Sequence, residues 1–396
     1  MNAPATVALK PYQLAALLVL FMTAFAAPLT TAFNIGAIIT EFGASRVEAG
    51  FVMTAEGLSV AASALIASRL ITRYYLKTLL FGGLICVAAG SGLTLLATDV
   101  PMMVGCRILA GIGIGTVVST VMATAARTPK PEMTFGWVNG CAGAFISVLG
   151  LTVPFAILRG GLDGAYALYL ALSLFGMLLL LLIPNSKTPV HAAPASRSED
   201  KPLSKFSASA GWIALFGLGI FFFGQAGIAA FIERIGASID VSLSTVGTIF
   251  FFGGLLTIVG PIGAGIVGSR FGATKPLVLI GSLFCLTVLV IALGGDKMSF
   301  YLSVPLLMIL PAILLPSFLG GLAVVDPTGR LAGAQPAFAT MGGALGPVAA
   351  GAVADVGGFG TLGWFVFVML IIGLTLMAAA TLKADGIRTR PLHPAE

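Results

Sequence analysis

Charge is what this 396-residue chain has least of: Asp, Glu, Lys and Arg make up 9% of it, against about 25% in a soluble domain. With 58% hydrophobic residues, a water-soluble globule is excluded and the chain reads as a polytopic membrane protein. Histidine is nearly missing: His191 and His393 both lie in polar segments, so the apolar interior offers no zinc ligand set and no histidine proton relay. The four cysteines (Cys86, Cys106, Cys141, Cys285) fall singly in apolar runs without ligand spacing and read as small buried hydrophobes. No metal and no cofactor is called for. There is no G-x-x-x-x-G-K-[ST] loop, which argues against ATP-driven transport. A membrane-embedded enzyme would need a cluster of acid, base and nucleophile at one depth, and none is present. The net charge of +6 is divided by side rather than clustered, so it points to membrane topology and not to nucleic acid.

What the chain does have is apolar runs of bilayer-spanning length, about 20 residues each. Tyr12–Phe33, Ala49–Ile71, Thr78–Ala97, Pro101–Ala126, Thr134–Leu158 and Gly164–Ile183 are expected to be helical spans. A polar, Pro- and Ser-rich connector follows, and then six more spans at Gly211–Phe231, Leu243–Gly268, Pro276–Leu293, Phe300–Val325, Leu331–Val353 and Thr361–Leu382. The expected fold class is therefore all-α: twelve transmembrane helices in two six-helix bundles, residues 1–184 and 209–396, joined by a cytoplasmic linker over 185–208. With both termini on one side, sixteen Lys and Arg fall on that side and Arg46, Arg159, Arg234 and Lys297 on the other. That bias predicts cytoplasmic termini in a multi-pass plasma (inner) membrane protein.

Two ionised side chains break the apolar pattern. Arg107 stands about six residues into the fourth span, where a central Arg costs on the order of 2.5–3.5 kcal/mol unless partnered or wet. Glu56 stands about seven residues into the second, at matching depth. Helical spacing puts Glu56, Ser59 and Ser63 on one face, and Arg107, Gly111 and Val118 on one face of the other helix. Two outcomes stay open: a functional proton or substrate site, or a permanent ion pair that locks the bundle.

The halves repeat. Ser68-Arg-Leu-Ile-Thr72-Arg73-Tyr-Tyr75-Leu-Lys77 follows the second span, and Gly265-Ile-Val-Gly-Ser269-Arg270-Phe-Gly272-Ala-Thr-Lys275 follows the eighth. Arg73 and Arg270 stand 197 positions apart, almost half the chain. Parallel repeats of this kind are one of the internal symmetries of secondary transporters. Both stretches resemble the G-x-L-x-D-R-x-G-R-K loop of the major facilitator superfamily, with Thr72 and Ser269 in place of its aspartate. Arg107 with Gly111, Gly113 and Gly115 is similar to that family's R-x-x-x-G-x-G pattern, and Gly342–Gly351, with Pro347, to its Gly-Pro-rich eleventh helix. The fifth span has Gly140, Gly143 and Gly150 without a Gly-Pro pair, so the drug-exporter signature is incomplete.

The resemblance implies two rocking bundles around a solute cavity that opens alternately to each side, with spans two and four adjacent. It implies gate duty for Arg73, Lys77 and Arg270 in the loops. Asp326 and Arg330, in a turn on the same side, are assigned gate or topology duty and are expected to pair. Glu56 and Arg107 are the candidate proton-coupling residues, because burial and a neighbouring guanidinium push a carboxyl's proton affinity in opposite directions. Candidate substrate-binding residues are Arg107, Glu56, Thr31, Asn34, Asn139, Gln225, Phe222, Phe251 and Gln335; the Phe-rich surroundings of Gln225 suit an amphipathic or aromatic solute. Glu233 and Arg234 are expected at the membrane interface. The expected activity is proton-coupled secondary transport of a small organic solute, leaning to export, by a monomer with protons, solute and lipid bilayer as its partners. Import of an organic anion, or a non-transporting receptor that keeps the fold, are the alternatives.

Overall fold

The computed structural model describes residues 9–71, 73–185, 205–271, 274–326 and 330–388. Most of the expected linker lies outside them. Every regular element in the described residues is helical: α1 (Pro11–Ala24), α2 (Ala26–Leu29), α3 (Thr31–Phe42), α4 (Arg46–Leu70), α5 (Leu76–Thr94), α6 (Val100–Ala125), α7 (Pro131–Leu179), α8 (Lys205–Ala230), α9 (Ile232–Ser238), α10 (Leu243–Phe271), α11 (Thr274–Leu293), α12 (Lys297–Val325) and α13 (Arg330–Arg388), with one short 3-10 turn at Leu180–Leu182.

Eight described helices are long and apolar enough to cross a bilayer. Two of these are double length, and glycine folds each of them back. Gly161 (φ +59°) interrupts α7 and Gly358 (φ +71°) interrupts α13, in a region of backbone space that a Cβ makes costly. The broken run α1–α3 and the run in α10 supply the remaining passes, which brings the described total to twelve. Loops therefore alternate between the face that carries the chain ends, here the terminal face, and the opposite or far face.

The internal repeat is written in the helix ends. Ser45 and Ser242 each take the N–H of the residue three ahead, at 3.3 Å, where α4 and α10 begin. Asp99 and Asp296 do the same for Met102 (2.7 Å) and Ser299 (2.9 Å), where α6 and α12 begin. Such caps contribute about 1 kcal/mol apiece. Both cap pairs, and the pair Gly161 and Gly358, stand 197 positions apart, like Arg73 and Arg270. The two halves thus share one register, with no insertion from the second span of each half to the sixth.

The first pass differs from its expectation. It runs to Phe42 instead of Phe33 and is broken at Phe25 and Thr30. Pro28 has no N–H and its ring obstructs the preceding turn, which explains the break. Asn34, a candidate substrate-binding residue in the sequence, mends the break: its Nδ2 donates to the Ala27 carbonyl at 3.0 Å, and its Oδ1 accepts from the Tyr169 hydroxyl at 2.8 Å. The Tyr169 hydroxyl also lies 2.6 Å from Thr30 Oγ1. The seventh pass, α8–α9, likewise continues beyond Phe231 to Ser238.

Glycines set the spacing of α4, α5 and α6. A Cβ on Gly111 would meet the Glu56 carbonyl and Ser59, and one on Gly115 would run into Ser63 and the Val60 carbonyl. Gly113 faces the other way, onto Gly83 and Val87 of α5. This close approach is how small residues work at membrane helix contacts. Gly115→Leu is expected to force α4 from α6, with a loss of about 1–3 kcal/mol or more. Gly82→Ala, which meets nothing within 4 Å, is expected to be silent. Unfolding midpoints of the purified proteins would check both.

Candidate functional site

Because Gly111 and Gly115 draw α4 against α6, Glu56 and Arg107 share one buried pocket. Arg107 is completely buried and Glu56 is 3% exposed. Arg107 Nη1 lies 4.0 Å from Glu56 Oε2, at the outer limit of an ion pair. Arg107 Nη2 donates to Thr94 Oγ1 at 3.0 Å, and the guanidinium sits 4.5 Å from the ring centre of Tyr166. Neither oxygen of Glu56 has a hydrogen-bond partner, and neither do Arg107 Nε, Arg107 Nη1 or the Tyr166 hydroxyl. At 4 Å and an effective dielectric of 20, two unit charges attract by about 4 kcal/mol, whereas burying each costs several. The attraction alone therefore does not cover the desolvation. This is an under-satisfied pair, unlike the saturated knot of Thr30, Asn34 and Tyr169 nearby.

Glu56 is also part of a cavity wall. A cavity of about 770 Å³ lies between the two halves, within the size range of small-molecule sites. Its wall is mostly apolar, with Phe25, Phe222, Phe250 and Met308 among the large side chains. The polar residues in the wall are Thr31, Glu56, Asn139, Gln225, Thr257 and Thr340. Glu56 is the only ionisable one among the described residues.

The cavity begins where contacts between the halves end. On the far side, α4 packs on α13, α7 on α10, and α3 on α8 and α9. The N–H groups of Arg46 and Val47 donate to Asp355 Oδ1 (3.1 Å) and Oδ2 (2.9 Å), so a carboxylate from the second half caps a helix of the first. Arg46 Nη1 donates to the Ala354 carbonyl at 2.7 Å and lies 3.9 Å from Asp355 Oδ1. Gly50 lies against Pro347, Gly351 against Arg46, and Gly143 and Gly150 against Gly254 and Gly247. Glu233 and Arg234 also join this seal: Glu233 abuts Gly36, and Arg234 donates to the Gly36 carbonyl and to Thr40 Oγ1. The two also pair with each other, Arg234 Nε lying 3.1 Å from Glu233 Oε2, while Arg234 meets a carbonyl and a hydroxyl of the opposite half.

The sequence profile of the Major Facilitator Superfamily matches residues 14–328. The chain belongs to that superfamily. It is accordingly a membrane transporter and not an enzyme. No curated protein matches it in sequence. Among solved structures it is similar to a peptide transporter POT mutant in complex with alafosfalin, at 15% identity over 94% of this chain and 96% of that one, with a TM-score of 0.74. It is also similar to a bacterial homologue of the human lysosomal transporter Spinster in an inward-facing, occupied conformation, at 16% identity over 98% and 100% with a TM-score of 0.70. A third similar structure is the human organic anion transporter MFSD10, at 16% identity over 93% and 100% with a TM-score of 0.63. Identities this low carry the superfamily's fold and nothing about cargo.

The sequence candidates now have places. Thr31, Glu56, Asn139, Phe222 and Gln225 line the cavity; Arg107 and Asn34 stand fully buried behind the wall. Phe251 turns from the wall onto Phe252, 5.2 Å between ring centres, and its neighbour Phe250 takes the wall position. Gln335 is half-buried in α13 away from the wall. Arg73 is exposed and Lys77 half-buried on the terminal face. The side chains of Arg270 and Arg330 lie outside the described residues; Asp326 accepts the Leu331 N–H at 2.7 Å, at the start of α13. Sequence reasoning missed Thr94, Tyr166 and Asp355. Asp355 had a signal: a lone carboxylate at the far end of an apolar span, opposite in sign to Arg46.

Proposed function

We propose that this superfamily member is a proton-coupled secondary transporter of a small amphipathic or aromatic organic solute, with Glu56 as the coupling carboxyl and Arg107 as its counter-charge. The bundles 1–184 and 209–396 rock about the cavity, and Asp355 and Arg46 latch the far side. The sixteen-to-four division of Lys and Arg supports cytoplasmic termini in a plasma (inner) membrane, which makes this conformation closed outside and facing the cytoplasm. Arg73, Lys77, Arg270, Asp326 and Arg330 then stand on the cytoplasmic face, where a gate must close on the return stroke. The protein works as a monomer, since the cavity is completed by its own two halves.

One observation carries the reading: a carboxyl with two unpaired oxygens stands in the wall of a cavity whose other described lining residues are neutral, 4.0 Å from a cation that is itself wholly buried. Losing or gaining a proton there changes the charge that solute meets. Proton release favours the empty or cation-loaded site, which is the arrangement an exporter uses. Arg107 is wholly buried, so organic-anion import has no exposed cation in the described wall to rest on.

A thermal-shift screen of the purified protein against a metabolite and drug library at two pH values tests this. The groups facing Glu56 are Arg107 from α6 and Tyr166 from α7; the described wall residues of α8, α10, α12 and α13 are not ionisable. For a solute that binds, affinity is expected to change with pH by up to about tenfold per unit, the limit for one linked proton. Glu56→Gln is expected to flatten that dependence. A Glu56→Gln protein with the wild-type pH dependence would remove the coupling role.

A further inference from the structure

Among the described wall residues, the buried side-chain atoms left without a partner are all acceptors. Glu56 Oε1 and Oε2 and Gln225 Oε1 are buried acceptors without a partner. Thr31 donates its hydroxyl hydrogen to the Pro28 carbonyl at 2.9 Å, and Thr257 donates its own to the Gly254 carbonyl at 2.7 Å. Each of those hydroxyls therefore keeps only lone pairs for anything else. Asn139 and Thr340, which could offer a hydrogen, are exposed and lie nearer the terminal ends of their helices. The buried donors without a partner nearby, Arg107 Nε and Nη1 and the Tyr166 hydroxyl, stand fully buried behind the wall, and the Gln225 amide adds its own N–H groups beside Oε1. An acceptor buried without a partner is costly, and a ligand that brings the hydrogen removes that cost.

We propose that the sealed end of the cavity selects amphipathic amines: an ammonium is received by Glu56, a second N–H is received by Gln225 Oε1, and the apolar body packs among Phe25, Phe222 and Phe250. The proposal rests on the transport reading only in taking this cavity as the solute site. Both residues line the cavity, and their buried oxygens reach a ligand only through a change of side-chain rotamer. The geometry also separates the class from its neighbours. An organic anion would meet the Glu56 carboxylate with only neutral amide and hydroxyl donors in the described wall to offset it, and a quaternary ammonium would satisfy the charge but bring no hydrogen.

A matched indole series tests it, read by thermal shift and isothermal titration on the full-length protein in detergent at neutral pH. The ligands are tryptamine, its N,N,N-trimethyl analogue, 1-methyltryptamine and indole-3-propionate. Tryptamine is expected to bind tightest, with the trimethyl and 1-methyl analogues each weaker by about tenfold, the worth of one hydrogen bond, and indole-3-propionate without effect. Gln225→Leu is expected to weaken tryptamine by about tenfold and to abolish its advantage over 1-methyltryptamine, while leaving the trimethyl comparison intact. Glu56→Gln is expected to erase the preference for the ammonium. Indole-3-propionate binding as well as tryptamine, equal binding of all the amines, or no shift from any of them would overturn the proposal, and the wild-type series decides this even if a variant fails to fold. If the propionate binds with a pH dependence that Glu56→Gln removes, the coupling reading stands and the amine class falls. If the amine pattern holds but is insensitive to pH, the class stands and the coupling falls.

Discussion

Arg107→Ala is expected to be the most damaging single truncation in the first half, costing about 3–5 kcal/mol of stability. The reason lies in what it leaves behind. Glu56 would be a buried carboxyl whose oxygens have no hydrogen-bond partner and no longer any counter-charge. Tyr166 would lose the cation 4.5 Å from its ring, a contact worth about 2 kcal/mol when desolvated. Glu56→Gln is expected to cost less, because Arg107 keeps Thr94 and Tyr166. The double variant Glu56→Gln with Arg107→Met is expected to recover most of the loss, since replacing both members of a buried pair is far milder than orphaning one. Unfolding midpoints of the three proteins, compared side by side in one detergent, check the order. A single Arg107→Ala protein as stable as the double variant would mean that the charges do not interact.

Gly351→Leu is expected to have the largest effect on conformation. The residue lies against the backbone of Arg46 and Val47, and its partner in the same seam, Gly50, lies against Pro347. Backbone cannot yield as a long side chain can, so a leucine at position 351 prevents α13 from closing on α4. Overpacking on the order of 1–3 kcal/mol translates into a shift of roughly 5- to 150-fold toward the far-side-open state. Ala354 is fully buried in the closed seam, which makes A354C a reporter: an impermeant maleimide is expected to label it slowly alone and at least about tenfold faster beside Gly351→Leu. Asp355→Ala removes two N–H acceptors and an ion pair, but not the close backbone fit, so its shift has the same direction and is smaller. Unchanged labelling beside Gly351→Leu would mean that this seam does not open.

The passes were legible because apolar length is a strong signal, and Arg107 and Glu56 because charge inside such a run is costly enough to stand out. The register of the repeat was legible through Arg73 and Arg270, and the caps at Ser45, Ser242, Asp99 and Asp296 repeat it. Neutral polar residues were harder to place. Asn34 and Gln225 look alike in sequence, yet Asn34 is saturated by the helix break that Pro28 creates and Gln225 faces a cavity. Only tertiary packing separates the two. Run-on aromatics failed for a similar reason: Phe250 and Phe251 differ by one step of helical rotation, and the sequence does not say which step meets the wall. The contact of Glu233 and Arg234 with the opposite half was not legible, because Arg234 meets carbonyl and hydroxyl groups of another helix there, which carry no charge to match.

The most direct test of Glu56 as the residue that ties protons to rocking needs no solute. Spin labels at the exposed positions Glu41 and Val356, on the two halves at the far face, report the opening of the Asp355 seam in a background with the four cysteines replaced. The account predicts that the distance distribution of the wild-type background moves between pH 8 and pH 5, and that Glu56→Gln holds it at the acid-end distribution at both values. A Glu56→Gln protein whose distances follow pH as the parent's do would contradict it.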